Sequence, residues 1–70
     1  MEVFMKKLSN REVEIIKYIA NGCTAKEIAR VVGLEPRTIE TYLFKVRKKL
    51  CAKNIAHAIY IACNKKLFEP

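Results

Sequence analysis

The sequence has no tryptophan, only two glycines and two prolines, and no apolar run long enough to span a membrane. This scarcity of glycine and proline excludes a collagen-like or low-complexity chain, and an apolar fraction of 51% excludes a disordered one. The number of cysteines, three, is odd, which argues against a disulfide framework. No pair of them has the spacing of a zinc knuckle, which argues against a metal site. The 70 residues fit one small domain, and the first of them lack the apolar segment of a signal peptide. We therefore expect a cytoplasmic protein without a membrane segment.

Acidic residues are also scarce, with seven against fourteen basic residues and a net charge of +7. Such an excess points to nucleic acid, an anionic membrane surface or an acidic partner. The single histidine, His57, is expected to face solvent on a helix. No arrangement of serine, cysteine, histidine and carboxylate residues indicates catalysis. We predict a protein that is not an enzyme, with no cofactor, no metal and no small-molecule site.

Helix starts are marked by capping residues, and no strand pattern competes with them. Ser9-Asn10-Arg11-Glu12 and Thr24-Ala25-Lys26-Glu27 fit the capping box, in which each side chain binds the other residue's backbone amide. Pro36 suits a first helical position, and Asn54 is a good N-cap. These signals, with glycines as helix stops, predict four helices at about residues 10–21, 25–32, 36–50 and 55–66.

The third predicted helix is apolar on one side only. At about 100° per residue, Leu43, Val46 and Leu50 fall close to Ile39 around the helix axis, so this stripe faces the core. Residues 37–53 carry six basic residues and one acidic residue, a net charge of +5. A short capped helix, a turn with glycine and a longer helix form the helix-turn-helix arrangement, whose second helix enters the major groove of DNA.

The fourth predicted helix has two apolar stripes. The first faces the core and contains Ile55, Ala58, Ile59 and Ala62. The second either packs on residues 1–7 or joins two copies of the chain. The members of this second stripe are Ala56, Tyr60, Cys63 and Leu67.

The motifs resemble a known family when they are taken together. They are Leu8-Ser9-x-Arg11-Glu12-x-Glu14-Ile15-Ile16, Gly22-x-Thr24-x-Lys26-Glu27-Ile28-Ala29, Gly33-Leu34, Thr38-Ile39 and Lys49-Leu50. This pattern is similar to the LuxR-type, or GerE-like, helix-turn-helix domain of bacterial transcription regulators. The resemblance runs without gaps from about Leu8 to Phe68, and it implies one all-α, four-helix (tetrahelical) domain over residues 1–70. It also implies binding of double-stranded DNA as a homodimer on a palindromic site, through the third helix, with the fourth helix as dimer contact.

The resemblance and the basic cluster together give a set of expected DNA contacts. Phosphates, which supply most of the affinity, are expected to bind Thr24, Lys26, Arg47, Lys48, Lys49 and Lys53. Bases are expected to be read by Arg37, Glu40, Thr41, Phe44 and Lys45. Thr38 is also expected to contact DNA.

The chain departs from the family pattern at several positions. The family usually has Thr-Val-Lys-x-His where this sequence has Thr38-Ile39-Glu40-Thr41-Tyr42, so a glutamate replaces the lysine most often presented to the bases. Glu40 can accept a hydrogen bond from cytosine N4. Phe44 replaces a polar residue and either touches a thymine methyl group or contacts a protein. Cys51 replaces a glycine, so a left-handed backbone there would be strained by about 1 kcal/mol.

Two alternatives to a dimeric regulator remain open. A sigma-factor-type region shares the capped helix pair, but the second stripe of the fourth helix favours dimerisation. An interaction module would dock on another regulator through Tyr42, Phe44 and Glu40, with weak or no specific DNA binding. The net charge of +5 on residues 37–53 favours DNA binding over protein docking. The expected protein partners are RNA polymerase or another regulator.

Overall fold

Four α-helices joined by short connections make up residues 8–64, the part of the chain described by this structure, a computed structural model. The described residues contain no strand. The predicted all-α, four-helix helix-turn-helix bundle is confirmed. The helices are α1 (Asn10–Ala20), α2 (Ala25–Val32), α3 (Pro36–Lys49) and α4 (Ile55–Asn64).

The first two helices begin at the predicted capping boxes. Ser9 Oγ accepts a hydrogen bond from the Glu12 amide at 3.1 Å, and Glu12 Oε1 accepts one from the Ser9 amide at 2.8 Å. Thr24 and Glu27 exchange the same two bonds at the same distances. Each pair satisfies backbone donors that the first turn of a helix leaves free.

The last two helices begin differently from each other. Glu35 makes no side-chain cap at the start of α3, where Pro36 occupies the first turn, as expected. Asn54 caps α4, since its Oδ1 accepts the His57 amide at 2.8 Å. The imidazole of His57 is half-buried rather than fully solvent-facing, and its Nδ1 accepts the Lys53 amide at 3.0 Å. His57 therefore fixes the turn that leads into α4.

Helix α1 ends in a Schellman turn, one residue before the predicted end. Gly22 has a φ of 93°, and its amide donates to the carbonyl of Ile19 at 2.9 Å. The amide of Cys23 donates to the carbonyl of Tyr18 at 3.0 Å. Both bonds need the left-handed backbone at the glycine, which stops the helix there.

Helix α3 ends in the same turn without a glycine, again one residue earlier than predicted. Cys51 has a φ of 55° and is the non-glycine residue with a positive φ in the described chain. Its amide donates to the carbonyl of Lys48 at 3.1 Å, and the Ala52 amide donates to that of Arg47 at 2.9 Å. The backbone at Cys51 is therefore left-handed, the condition under which a cysteine at this position is strained. The predicted last residues of α4, 65 and 66, lie outside the described residues.

Two neighbouring clusters form the core, and α3 contributes to both. One cluster joins α1 to α2 and α3 through Ile15, Ile28, Ala29 and Ile39. The other joins α1 to α3 and α4 through Leu8, Ile16, Val46, Leu50, Ala52, Ala58 and Ala62. Leu43 packs against both clusters, so the predicted apolar stripe of α3 is confirmed. This packing fixes which face of α3 points outward.

Candidate nucleic-acid interface

The outer face of α3, opposite its core stripe, is almost entirely open to solvent. The turn before α3 is held by Gly33, which has a φ of 77°, and by the Leu34 amide, which donates to the Ala29 carbonyl at 3.0 Å. Thr38 and Arg47 are half-buried at the edges of this outer face. Its exposed members are Arg37, Glu40, Thr41, Phe44, Lys45 and Lys48. The structure therefore brings together the expected base-reading side chains.

An aromatic ring with two cations over it lies at the centre of this face. Phe44 is 52% exposed, and Arg47 Cζ and Lys48 Nζ each lie 5.4 Å from the centroid of its ring. Cations at this distance are attracted to the negative face of the ring. The cationic side chains follow Phe44 by three and four residues, which is the spacing of helix neighbours. Phe44 therefore holds two of the expected phosphate contacts close to itself.

Thr41 is exposed one turn before Lys45, but its hydroxyl group is already engaged. Thr41 Oγ1 donates to the carbonyl of Arg37 within α3, at 3.1 Å. Serine and threonine often make such bonds in helices. While the bond holds, Thr41 offers a base only its methyl group and the lone pairs of its oxygen.

The start of α2 presents a second group of expected contacts. Thr24 and Lys26 are both exposed there. The Thr24 hydroxyl oxygen accepts from the Glu27 amide, so its proton remains available to donate. The capping box already engages the Thr24 and Glu27 amides, so the groups left for an anion are the Thr24 hydroxyl and the Lys26 ammonium. Thr24 and Lys26 are therefore suited to a phosphate group.

Lys49 differs from the other basic residues of α3 because it is paired inside the protein. Its Nζ lies 2.8 Å from Oε1 of Glu12, which is only 3% exposed. Burial acts to raise the pKa of the Glu12 carboxyl, but hydrogen bonds from Lys49 and Ser9 and the charge of Lys49 outweigh it. The pKa of Glu12 is held below its ordinary value of 4.5. A phosphate that binds Lys49 has to compete with this carboxylate.

No local sequence pattern marks the Glu12–Lys49 pair. The two residues are 37 positions apart, and the capping box already accounts for Glu12. Their contact depends on how α1 packs on the end of α3, so it follows from the tertiary fold. The neighbouring pair Arg11 and Glu14, 3.5 Å apart, is by contrast an exposed contact within one helix.

The second stripe of α4 is only partly open in the structure. Ala56 is exposed, and Tyr60 is 65% exposed. Cys63 is half-buried and packs against the core, so it contributes to the outer surface only in part. Leu67 lies outside the described residues. Among the described members of the stripe, the exposed surface is therefore centred on Tyr60.

A metal-ligand cluster and a membrane-spanning helix are both absent from the described residues. Residues 8–64 hold no group of three or more histidine, cysteine, aspartate or glutamate residues that could bind a metal ion. None of the described helices combines the length and apolar character needed to cross a membrane. Cys23, Cys51 and Cys63 are free thiols.

The sequence of residues 6–62 matches the GerE family, described as bacterial regulatory proteins of the luxR family. The chain belongs to this family. As a LuxR-family domain it is a DNA-binding domain of transcription regulators, and the resemblance seen in its motifs is confirmed. Its helix-turn-helix is the pair formed by α2 and α3.

Curated relatives of this LuxR-family domain are longer proteins. A putative transcriptional regulator of Pseudomonas aeruginosa is 38% identical over 58 residues, which cover 83% of this chain and 28% of that protein. The transcriptional activator protein BjaR1 of Bradyrhizobium diazoefficiens is 34% identical over 64 residues, or 91% of this chain and 26% of that protein. The chain thus spans less than a third of the length of these relatives.

Solved structures share the fold of the LuxR-family domain. The structure of VqmA bound to DPO matches with a TM-score of 0.80 and 32% sequence identity, over 89% of this chain and 31% of that chain. A phage VqmA–DPO complex matches with the same TM-score and 33% identity, over 99% of this chain and 31% of that chain. These matches also cover less than a third of the proteins concerned.

Proposed function

We propose that residues 1–70 form one LuxR-type domain that binds specific sequences of double-stranded DNA in the bacterial cytoplasm and so regulates transcription. The observation that carries the proposal is the outer face of α3, which is exposed and polar except for Phe44, while its inner face is buried in both core clusters. A helix held in this way can enter the major groove and present side chains to the base edges.

Phosphate contacts anchor the domain on either side of the groove. Thr24 and Lys26 bind at the start of α2, and Arg47, Lys48 and Lys53 bind near the end of α3. Lys49 also belongs to this set, but we expect a weaker contact because Glu12 already compensates its charge. These contacts supply affinity for any sequence.

Base contacts come from the middle of the outer face. Glu40 accepts from cytosine N4, and Phe44 makes an apolar contact. The remaining base-reading residues are Arg37, Thr38, Thr41 and Lys45. Because Glu40 and Phe44 replace residues that are usual in the family, the preferred DNA sequence of this protein differs from that of typical members.

The exposed part of α4 joins two copies on a palindromic site. Tyr60 can bury its ring against the second copy while its hydroxyl stays in water, and Ala56 is small enough for close helix approach. Sedimentation of the wild type and of Tyr60→Glu tests this proposal, and we expect association to be lost in the variant. Val31→Glu is the matched control, because Val31 is 62% exposed on α2. A wild type that is monomeric even on DNA would contradict the dimer.

The experiment that tests the function is selection from random duplex DNA at two salt concentrations. We expect a palindromic site with half-sites about 34 Å apart, one turn of the double helix. Affinity should fall steeply with salt, because phosphate contacts release counterions. Binding without enrichment of any sequence would contradict specific recognition by this domain.

A second candidate function is docking on another protein, either RNA polymerase or another regulator. The exposure of Phe44 favours it, because aromatic side chains often anchor protein interfaces. Absence of DNA binding even at low salt would favour this candidate over the first.

A further inference from the structure

The apolar chemistry of the outer face of α3 is concentrated in one ring. The large apolar side chains that are exposed in the described chain are Val31, Phe44 and Tyr60, and they lie on α2, α3 and α4. Phe44 therefore stands alone among polar and charged neighbours on α3. An isolated ring of this kind is better suited to contact a single apolar group in a partner than to contact a broad apolar surface of a partner.

The two cations beside the ring restrict how Phe44 can be used. Arg47 and Lys48 lie over the ring at 5.4 Å from its centroid, so a base that stacked on a face they cover would have to displace them. An apolar protein surface that covered Phe44 would also have to bury two cations without partners, which is unfavourable. DNA instead places phosphates beside the groove, where they neutralise both charges. The ring can then face the base edges in the groove.

The major groove offers the ring a specific apolar feature. The base-pair edges in the major groove carry hydrogen-bond donors and acceptors. The apolar group among them is the methyl group at C5 of thymine. 5-Methylcytosine carries the same group at the same position. We propose that Phe44 is a specificity-determining residue that reads a pyrimidine 5-methyl group, which is that of thymine in unmodified DNA. This inference rests on the proposed DNA-binding function and names one feature of its target.

The test removes only the methyl group. In the site obtained by selection, each thymine is replaced in turn by deoxyuridine, which pairs with adenine but lacks the methyl group. We expect wild-type affinity to fall about fourfold at one thymine in each half-site, the effect of burying one methyl group. Phe44→Ala should bind the unmodified site more weakly and should not respond to deoxyuridine at that position. Phe44→Leu, which keeps an apolar group, should retain part of the response.

A parallel arm distinguishes the two sources of the methyl group. Each cytosine of the site is replaced in turn by 5-methylcytosine, and a gain in affinity that depends on Phe44 would assign the contact to the methylated base. Val31→Ala is the matched control, because it removes an exposed apolar side chain from α2 and should leave every response unchanged. Circular dichroism checks that all variants are folded.

Two outcomes overturn the inference in different ways. If the wild type binds its selected site but responds to no methyl group, or if Phe44→Ala responds as the wild type does, Phe44 is not the reader and the proposed function stands. If the wild type selects no sequence, the proposed function fails and the inference fails with it.

Discussion

The two faces of α3 have opposite properties within one helix of 14 residues. The inner face is completely buried at Ile39 and Val46, which pack in different core clusters. The outer face at Glu40 and Phe44 is exposed and makes no contribution to either cluster. The contrast teaches that stability constrains the inner residues, whereas the outer residues can change without loss of the fold. We therefore expect departures from the family pattern on the outer face to alter recognition and to leave the architecture intact.

The largest expected effect separates the two faces directly. Ile39→Ala should lower the free energy of unfolding by about 2–5 kcal/mol, because it leaves a cavity in a fully buried site. Phe44→Ala should change it by only about 0.5 kcal/mol, because the ring is half-exposed. Urea denaturation followed by circular dichroism measures both. Similar losses in the two variants would contradict the assignment of the faces.

The next effect concerns the Glu12–Lys49 pair, which ties α1 to the end of α3. Glu12→Gln keeps an acceptor for the Ser9 amide but removes the charge, and we expect a loss of about 2 kcal/mol at neutral pH. The stability is measured by urea denaturation of both proteins across pH 7 to 3. Glu14→Gln is the matched control, because Glu14 is exposed on the same helix.

The pH dependence of this pair has a definite sign. The folded-state pKa of Glu12 is lowered, so its contribution is complete above the ordinary value of 4.5 and is lost as pH falls through the folded-state value. The wild type should therefore lose more stability than Glu12→Gln as the pH is lowered below 4.5. Parallel pH profiles for the two proteins would show that the ion pair does not stabilise the fold.

A smaller effect is expected where α3 ends, outside both faces. Cys51→Gly should raise the free energy of unfolding by about 1 kcal/mol, because glycine adopts the left-handed backbone without strain. DNA affinity should not change, since neither face of α3 is altered. Thermal denaturation with a parallel DNA titration tests both expectations. A variant less stable than the wild type would mean that the Cys51 side chain makes a stabilising contact that offsets the backbone strain.

The smallest expected effect belongs to a single phosphate contact on the outer face. Lys48→Ala should weaken binding to all DNA sequences alike and lower the salt dependence of log affinity by about one. Lys17→Ala on α1 removes the same charge outside the proposed interface and should leave the salt slope unchanged. Titrations at several salt concentrations compare the two variants. Equal slopes for Lys48→Ala and the wild type would remove Lys48 from the phosphate contacts.

Much of the fold could be predicted because its signals are local. The capping boxes at Ser9 and Thr24 each lie within four residues, and the stripe that begins at Ile39 repeats every helical turn. The glycine that is usual at the family position of Cys51 raised a left-handed backbone there only as a condition, which the structure meets. The end points of α1 and α3 were each one residue too late, because the residue before the left-handed one is already the cap.

The contacts that could not be predicted depend on the tertiary fold or on side-chain conformation. The pairing of Lys49 with Glu12 requires α1 to pack beside the end of α3. The bond from the Lys53 amide to the imidazole of His57 depends on the turn before α4. The sequence does place Phe44 three and four residues before two cations, and this spacing was the available signal for their contact.

The central claim is that the outer face of α3 reads the DNA sequence, and Glu40 tests it most directly. Selection from random duplex DNA is carried out with the wild type and with Glu40→Ala under the same conditions. Our account predicts that the variant changes its base preference at one position in each half-site and keeps the preference elsewhere, because one acceptor for cytosine N4 is lost. An unchanged preference at every position would contradict the claim that Glu40 reads a base.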